Sequence, residues 1–273
     1  MTESRAIDAT ERPATRASLA ADFARLGLAE GDTVLVHSSL TAIGFVVGGG
    51  VTVVQALLDA VGERGTLMMP AFTSYNSEPS LWIAPPVPEA WWPAIRAHMP
   101  AYDKRVFPMR QIGQIAEVLR AWEGTLRSDH PQVSFVARGR HAERITADHG
   151  LEFEFGERSP LARLYDLDGS VLLLGVTHAH DTSLHLAEDR EPGKEVVEQG
   201  SCVLDDGRRV WKTFRDIARD DSVFAELGRD FDAAHGVTPG KVGVADARLF
   251  RQRALVDFGV EWLAERRAAS GGA

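Results

Sequence analysis

The chain has 273 residues, a formal net charge of −9 and a single cysteine. The length allows an ample core, and we interpret residues 1–273 as one domain. A lone cysteine excludes a disulfide framework or a thiolate zinc cluster, and the surplus of acids argues against nucleic acid as a partner, which needs a basic face. The surplus would suit a cationic partner, although most acidic proteins are acidic only for solubility.

The first residues, MTESRAIDATERPATRAS, contain acids and no apolar stretch, unlike a signal or transit peptide. The longest apolar runs elsewhere are of strand length, far below what spans a bilayer. We therefore expect a cytoplasmic protein with no membrane segment, whose residues 1–14 form a disordered tail.

The first part of the chain alternates predicted helices and strands. Glycine stops and apolar spacing predict a helix ending at Gly27, a strand over 33–36, a helix ending at Gly62 and a strand over 66–69. A strand, a helix and a strand in so short a space predict a parallel pair with a crossover helix.

Residues 71–108 interrupt this pattern with seven prolines and three tryptophans. A loop of this length in a compact domain is usually functional or disordered. The tryptophans favour an ordered loop that packs on the body of the protein.

The remaining pattern predicts a helix around 112–122, strands over 134–137 and 170–176, a short helix from 140, a hairpin at 206–207, and helices over 222–234 and 246–267. The fold class is therefore α/β. We expect a central mixed, partly parallel sheet flanked by helices, with the proline- and tryptophan-rich loop as an insertion and a C-terminal region of hairpin plus helices.

One candidate segment runs from His37, Ser38 and Ser39 to the glycines at 48–50, between a strand and a helix. Exposed amides and the helix dipole at such a place suit a phosphate or pyrophosphate. The segment is neither a Walker A loop nor a Rossmann fingerprint, and a tight flexible connection is an equally good interpretation.

A second segment, His178 to Glu188, follows the strand predicted over 170–176. A helix capped at 181–183 would place His185 and Glu188 one turn apart on one face, so that Glu188 could orient the imidazole. Histidine is the usual base for taking a proton from an amine near neutral pH, although a structural histidine is the commoner case.

A metallohydrolase site on His178, His180 and His185 is a competing hypothesis. The usual His-x-His-x-Asp-His array needs the aspartate one position further on than Asp181. We therefore expect no metal.

A third segment, Arg127-Ser128-Asp129-His130-Pro131, has the composition of a polar turn. No Gly-x-Ser-x-Gly elbow of a serine hydrolase is present. Cys202 lies in a predicted hairpin strand, and we interpret it as a small buried hydrophobe.

Together these segments resemble the aminoglycoside 3-N-acetyltransferases, acetyl-CoA-dependent resistance enzymes distinct from the GNAT acetyltransferases. The matching stretches are VLVHSSLTAIGFVVGG, GTLMMPAFT, RSDHPQVSFVARG, GERSPLARLYDLDGSVLLLGV and DTSLHLAE, in the family's order. They span roughly residues 16–190, and residues 190–273 match only loosely.

The resemblance implies acetyl transfer from acetyl-CoA to the 3-amino group of the 2-deoxystreptamine ring, by direct attack. His185 would be the general base and Glu188 its support. The residues implied to contact CoA are His37, Ser38, Ser39, Gly48 and Gly49, with Ser128 near the CoA arm.

An aminoglycoside is a polycation, so its pocket needs carboxylates and amide oxygens. The substrate-facing residues that the resemblance implies are Tyr75, Asn76, Glu78, Asp181 and Asp216. The chain departs from the family where an aspartate is common after Met69-Pro70, and Asp181 replaces a commoner Asn, which adds a charge beside His185.

These departures keep other functions open: an acetyltransferase of the same fold that acts on another amine, or a non-catalytic module that binds CoA or the drug. The expected partners are CoA and a small cationic antibiotic, and the default assembly is a monomer.

Overall fold

The computed structural model describes residues 3–73, 75–110 and 112–270. The helices are α1 Glu3–Asp8, α2 Arg16–Leu26, α3 Gly49–Val61, α4 Trp92–His98, α5 Gln114–Ala121, α6 Ala142–Thr146, α7 Pro160–Asp166, α8 Ser183–Arg190, α9 Phe224–His235 and α10 Gln252–Ser270. The strands are β1 Thr33–Ser38, β2 Thr66–Pro70, β3 Leu126–Arg127, β4 Phe135–Gly139, β5 Ser170–Leu174, β6 Val196–Asp205, β7 Arg208–Ile217, β8 Gly240–Val242 and β9 Ala245–Arg251.

Seven strands form the central sheet in the order β3-β4-β2-β1-β5-β9-β8. Strands β2, β1 and β5 run parallel, and the outer pairs are antiparallel. The predicted mixed, partly parallel sheet is therefore confirmed. Strands β6 and β7 form a separate hairpin, which turns at Asp206 and Gly207 with φ of 47° and 74°, as a two-residue turn matched to strand twist requires.

Glycine and hydroxyl side chains set the helix ends that the sequence predicted. Thr15 and Ser18 form a capping box at the start of α2, and Gly27 ends the helix at φ 104°. Helix α3 lies between Gly48 at φ 80° and Gly62 at φ 65°, where an L side chain would be strained. Both predicted helices are confirmed.

The core lies on both faces of the sheet, because alternate residues of each central strand point to opposite sides. On β1, Val34 and Val36 pack with α2, α3 and α5, whereas Leu35 packs with α7, α8 and α10. Each fully buried side chain of this size contributes about 1.5–3 kcal/mol relative to exposure. Helices on both faces thus hold the ends of the parallel strands in fixed positions.

The N-terminal segment differs from the predicted disordered tail. Residues 3–8 form α1, in which Ala6 is buried, and Ala14 forms a parallel bridge with Val46. The amide of Phe45 donates to Oγ1 of Thr10 at 2.8 Å. These contacts dock the segment on the loop between β1 and α3; Met1 and Thr2 lie outside the described residues.

The helix predicted over 246–267 is wrong in its first turn. Residues 245–251 form β9, an antiparallel neighbour of β5, and α10 begins at Gln252. The described residues of the loop, 71–73 and 75–108, are ordered as expected and include α4, although Trp91 stays 58% exposed.

Candidate active site

A cleft of about 290 Å³ lies where the carboxyl ends of β1, β2 and β5 meet. Parallel strands of an α/β sheet commonly place active groups at this edge. The described residues that line it come from these strand ends, from the start of α5, from the turn before α8 and from the start of α9: Val36, His37, Ser38, Pro70, Phe72, Arg110, Ile112, Gly113, Ala116, Val176, Ala179, His180, Asp181, Thr182, His185, Asp221 and Phe224.

His185 and Glu188 form a pair on the first turns of α8, as their spacing predicted. The Nδ1 of His185 donates to Oε2 of Glu188 at 2.6 Å, and the amide of Asp220 donates to Oε1 at 2.9 Å. The imidazole stacks on Phe155 with ring centroids 4.6 Å apart and contacts Phe224 on its other side. This fixes the ring, and it leaves Nε2 as the nitrogen without a carboxylate partner.

A second histidine, His37, lies at the end of β1 in the same cleft. Its Nε2 is 3.2 Å from Oγ1 of Thr182 and 3.8 Å from Oδ1 of Asp181. Burial lowers the pKa of His37 to about 4, so this imidazole is neutral near pH 7.

Asp181 is fully buried and its carboxylate is directed to groups other than His185. Its Oδ1 accepts from the amide of Ser183, and its Oδ2 lies 3.7 Å from Nδ1 of His178. His178 also contacts Asp232 at 2.9 Å, and despite burial these two carboxylates raise its pKa. The carboxylate of Asp181 is thus met by the amide of Ser183 and by His178.

The structure brings part of the predicted CoA set to the cleft. His37 and Ser38 line it, and Ser39 follows directly. Gly48 and Gly49 start α3 at an adjoining depression, lined in part by Gly49. The linings of the cleft and of this depression are neighbours in sequence at 38–40 and at 113–114, and we refer to the two hollows together as the groove.

Ser128 is not brought to the cleft. It is fully buried, its Oγ accepts from the amide of Phe135 at 2.9 Å, and it lies 3.0 Å from Nδ1 of His149. Burial lowers the pKa of His149 to about 3. This segment therefore anchors the strand that begins at Phe135.

Asn76 is also held within the protein. It is fully buried, and its side chain makes two hydrogen bonds with the backbone of Cys202, each of 2.7 Å. Glu78 accepts two hydrogen bonds from Ser80 and forms an ion pair with Arg96. Neither lines the cleft.

Asp216 is likewise buried outside the cleft, where it pairs with Arg219 at 2.7 Å. Tyr75 is half-exposed, and the guanidinium of Arg110 lies 3.7 Å from its ring centroid. Arg110 lines the cleft and has no carboxylate partner among the described residues.

Four residues at the site were not singled out by the sequence patterns. Phe155 lies in an irregular segment and Arg110 in the proline-rich loop. Neither segment has an apolar periodicity that would indicate which side chains point toward the site. Phe224 begins α9, and Asp221 lies in the short 3₁₀ turn before it. Asp221 and Asp181 are the acids among the described cleft-lining residues.

Within residues 3–73, 75–110 and 112–270, no group of three or more His, Cys, Asp or Glu side chains has a metal-binding arrangement. In the same ranges, no helix combines the length and apolar character needed to cross a bilayer.

The mixed sheet with a histidine–glutamate pair at the end of its parallel strands defines an α/β enzyme site. The profile of the aminoglycoside 3-N-acetyltransferase family matches residues 35–264, and the chain belongs to this family of acyltransferases. The match extends past residue 190, where the recognisable sequence stretches end.

Individual relatives agree over nearly the whole length. The chain is 45% identical over 257 residues to the SPbeta prophage-derived aminoglycoside N(3')-acetyltransferase-like protein YokD of Bacillus subtilis strain 168, covering 94% of each chain. It is 41% identical over 286 residues to aminoglycoside N(3)-acetyltransferase VII of Streptomyces paromomycinus, covering 97% of each.

Solved structures also match this chain over nearly its whole length. The crystal structure of YokD from Bacillus subtilis has a TM-score of 0.95 at 43% identity and covers 97% of this chain and 98% of that chain. The structure of AAC-IIIb in binary complex with CoASH has a TM-score of 0.82 at 36% identity, covering 93% and 98%.

Proposed function

We propose that this protein transfers the acetyl group of acetyl-CoA to the 3-amino group of the 2-deoxystreptamine ring of an aminoglycoside, which gives antibiotic resistance. The observation that carries the proposal is the His185–Glu188 pair at a cleft in the fold of this family. The proposal is supported by relatives that are named for this activity and that match the chain over nearly their whole length.

His185 is the general base in this proposal. An alkylammonium is not a nucleophile until it loses a proton, and a positioned base contributes about 10²–10⁴-fold to such a step. Because Nδ1 donates to Glu188, Nε2 is the nitrogen that can take the proton from the amine. The carboxylate of Glu188 then stabilises the imidazolium.

The groove fits an extended co-substrate such as CoA. Acetyl-CoA supplies the thioester carbonyl that the amine attacks. His37, Ser38 and Ser39 border the groove near the base, and Gly48 and Gly49 present the N-terminus of α3, which favours phosphate. A Cβ at Gly48 would meet Oγ1 of Thr52 at 2.7 Å, so the close backbone here depends on glycine.

On the amine side, we assign Tyr75 and Asp221 to the substrate. Asp221 is exposed and lines the cleft with His185, where its carboxylate can pair with an ammonium group. Tyr75 lies against Arg110, which lines the cleft. Asn76, Glu78 and Asp216 lie outside the cleft lining, and we assign them structural roles.

The test of the base is His185→Ala, with His180→Ala as the matched control in the same cleft. We expect His185→Ala to lower kcat about 10²–10⁴-fold with CoA binding kept. His180 has no such carboxylate partner, and its variant should keep turnover. Near wild-type turnover of His185→Ala would refute the assignment.

A second candidate function is acetylation of a different amine, one that carries an anionic group. Arg110 favours it, because a guanidinium without a carboxylate partner in the cleft repels a polycation and attracts an anion. Assays with acetyl-CoA across gentamicin, apramycin and an amine bearing a phosphate or carboxylate separate the two. Turnover of only the last would exclude the aminoglycoside assignment.

The proposal includes four further expectations. The reaction takes place in the cytoplasm, where acetyl-CoA is available, and it needs no metal. The 273 residues act as one domain and as a monomer, which light scattering after size exclusion tests.

A further inference from the structure

Arg219 lies next to the His185–Glu188 pair and is not among the described residues that line the cleft. Its guanidinium is 2.7 Å from Asp216, 3.1 Å from Asp189, 3.3 Å from Glu154 and 3.9 Å from Glu188. The side chain is largely buried. One cation is thus shared by four carboxyl groups.

The same guanidinium also contacts the aromatic wall of the base. Its Cζ lies 4.7 Å from the centroid of Phe155, whose ring is stacked on His185 at an interplanar angle of 15°. A planar cation is attracted to the face of an aromatic ring by the quadrupole of the ring. Arg219 therefore touches both groups that hold the imidazole: Phe155 through its face and Glu188 through its charge.

The carboxyl groups around Arg219 explain why a cation is needed there. Burial and the charge of Asp216 raise the pKa of Glu154 to about 8, and burial raises the pKa of Asp189 and of Asp216. With Arg219 removed, Glu188 would lose the cation 3.9 Å from its Oε2, and Phe155 would lose the guanidinium over its ring. Glu188 could then turn away, which would cost His185 its acceptor at Nδ1.

We infer that Arg219 is a positioning residue for the base, holding the carboxylate of Glu188 turned toward Nδ1 of His185 and pressing Phe155 against the imidazole ring. The inference rests on the proposed role of His185. It assigns to Arg219 an effect on turnover, beyond fastening the end of β7 to α8.

The experiment compares Arg219→Gln and Arg219→Lys with Arg215→Gln. Arg215 lies on β7 and forms an exposed ion pair with Glu152, so it is the matched control for the same chemical change. We expect Arg219→Gln to lower kcat at least about 10-fold, which is less than the ~10²–10⁴-fold loss expected on removing the base. The KM for acetyl-CoA should stay within about twofold of the wild-type value. Arg219→Lys keeps the charge but loses the planar stack, and we expect an intermediate kcat.

Two readouts separate positioning from stability alone. Added guanidinium should restore part of the kcat of Arg219→Gln and leave Arg215→Gln unchanged. In ¹⁵N-labelled protein without substrates, wild type and Arg215→Gln should hold His185 protonated at Nδ1, whereas Arg219→Gln should populate the other tautomer. If Arg219→Gln fails to fold, the kcat and tautomer of Arg219→Lys decide.

A wild-type kcat and tautomer in the folded Arg219 variants would overturn the inference. A kcat loss with no tautomer change and no rescue would also overturn it, because a structural role gives that result. If the wild type acetylates none of the amines tested, the proposed function fails, and the tautomer comparison still tests Arg219.

Discussion

The carboxylate of Glu188 gives the most direct prediction about catalysis, through the substitution Glu188→Gln. The change keeps the size of the side chain and removes its charge from a position 2.6 Å from Nδ1 of His185. Two unit charges with centres about 4 Å apart interact by about 4 kcal/mol at an effective dielectric constant of ~20. The side chains of His185 and Glu188 retain 14% and 9% exposure, so solvent screens part of this.

We therefore expect Glu188→Gln to lose about 2–4 kcal/mol of imidazolium stabilisation. At about 1.4 kcal/mol per factor of ten, kcat falls roughly 30- to 1,000-fold. The assay is release of CoA from acetyl-CoA at saturating amine, with thermal melting to verify the fold.

The control is Glu157→Gln, which makes the same change in an exposed ion pair with Arg190. It should keep wild-type kcat. The reasoning is refuted if Glu188→Gln folds normally and keeps kcat within threefold of wild type.

Further predictions concern the cleft, the acidic cluster and the hairpin. Asp221→Asn should raise the KM for the amine about 2- to 5-fold in steady-state assays, because one exposed ion pair with the substrate is lost. The KM for acetyl-CoA should not change. Because the pKa of Glu154 rises from 4.5 to about 8 on folding, the unfolded chain releases a proton that the folded protein retains, and stability falls as pH rises through this range. Melting at about pH 5 and pH 8.5 should therefore show a smaller drop for Glu154→Gln than for wild type; an equal drop would contradict this. Asn76→Ala should lower the free energy of unfolding by about 2–4 kcal/mol in denaturant titrations, since two buried hydrogen bonds are lost, without changing either KM. Cys202→Ser should leave turnover intact, because direct attack needs no thiol; loss of activity in a folded variant would refute direct attack without the thiol.

Local signals in the sequence were enough to predict the helices that glycine ends and the strands with continuous apolar runs. The ends of α2 and α3 depend on Gly27 and Gly62, which act over one turn. Strand β9 escaped prediction because its apolar pattern is broken, its nearby partner β8 is only three residues long, and its other partner β5 lies about 80 residues earlier in the chain. A pairing of that separation leaves no local signal.

The candidate site also contains residues that local sequence predicts and residues that it does not. The His185–Glu188 pair follows from helical spacing of three residues, which sequence specifies directly. Whether an acid faces substrate depends on its partners elsewhere: Glu78 pairs with Arg96, and Asn76 binds the backbone of Cys202, 126 residues away. The substrate-side assignments could not be made without those contacts.

The β6–β7 hairpin sets the distance between the proline-rich insertion and the groups that hold Glu188. Near its turn, the backbone of Cys202 binds Asn76 of the insertion, and at its base Ile217 leads into Arg219 and the amide of Asp220 that binds Glu188. Adding one residue within a strand would reverse the facing of all that follows, whereas adding one at the turn would not. Because Cys202 pairs with Trp211, an inserted residue is tolerated at the turn, whereas one between Trp211 and Arg219 would displace the groups that hold Glu188.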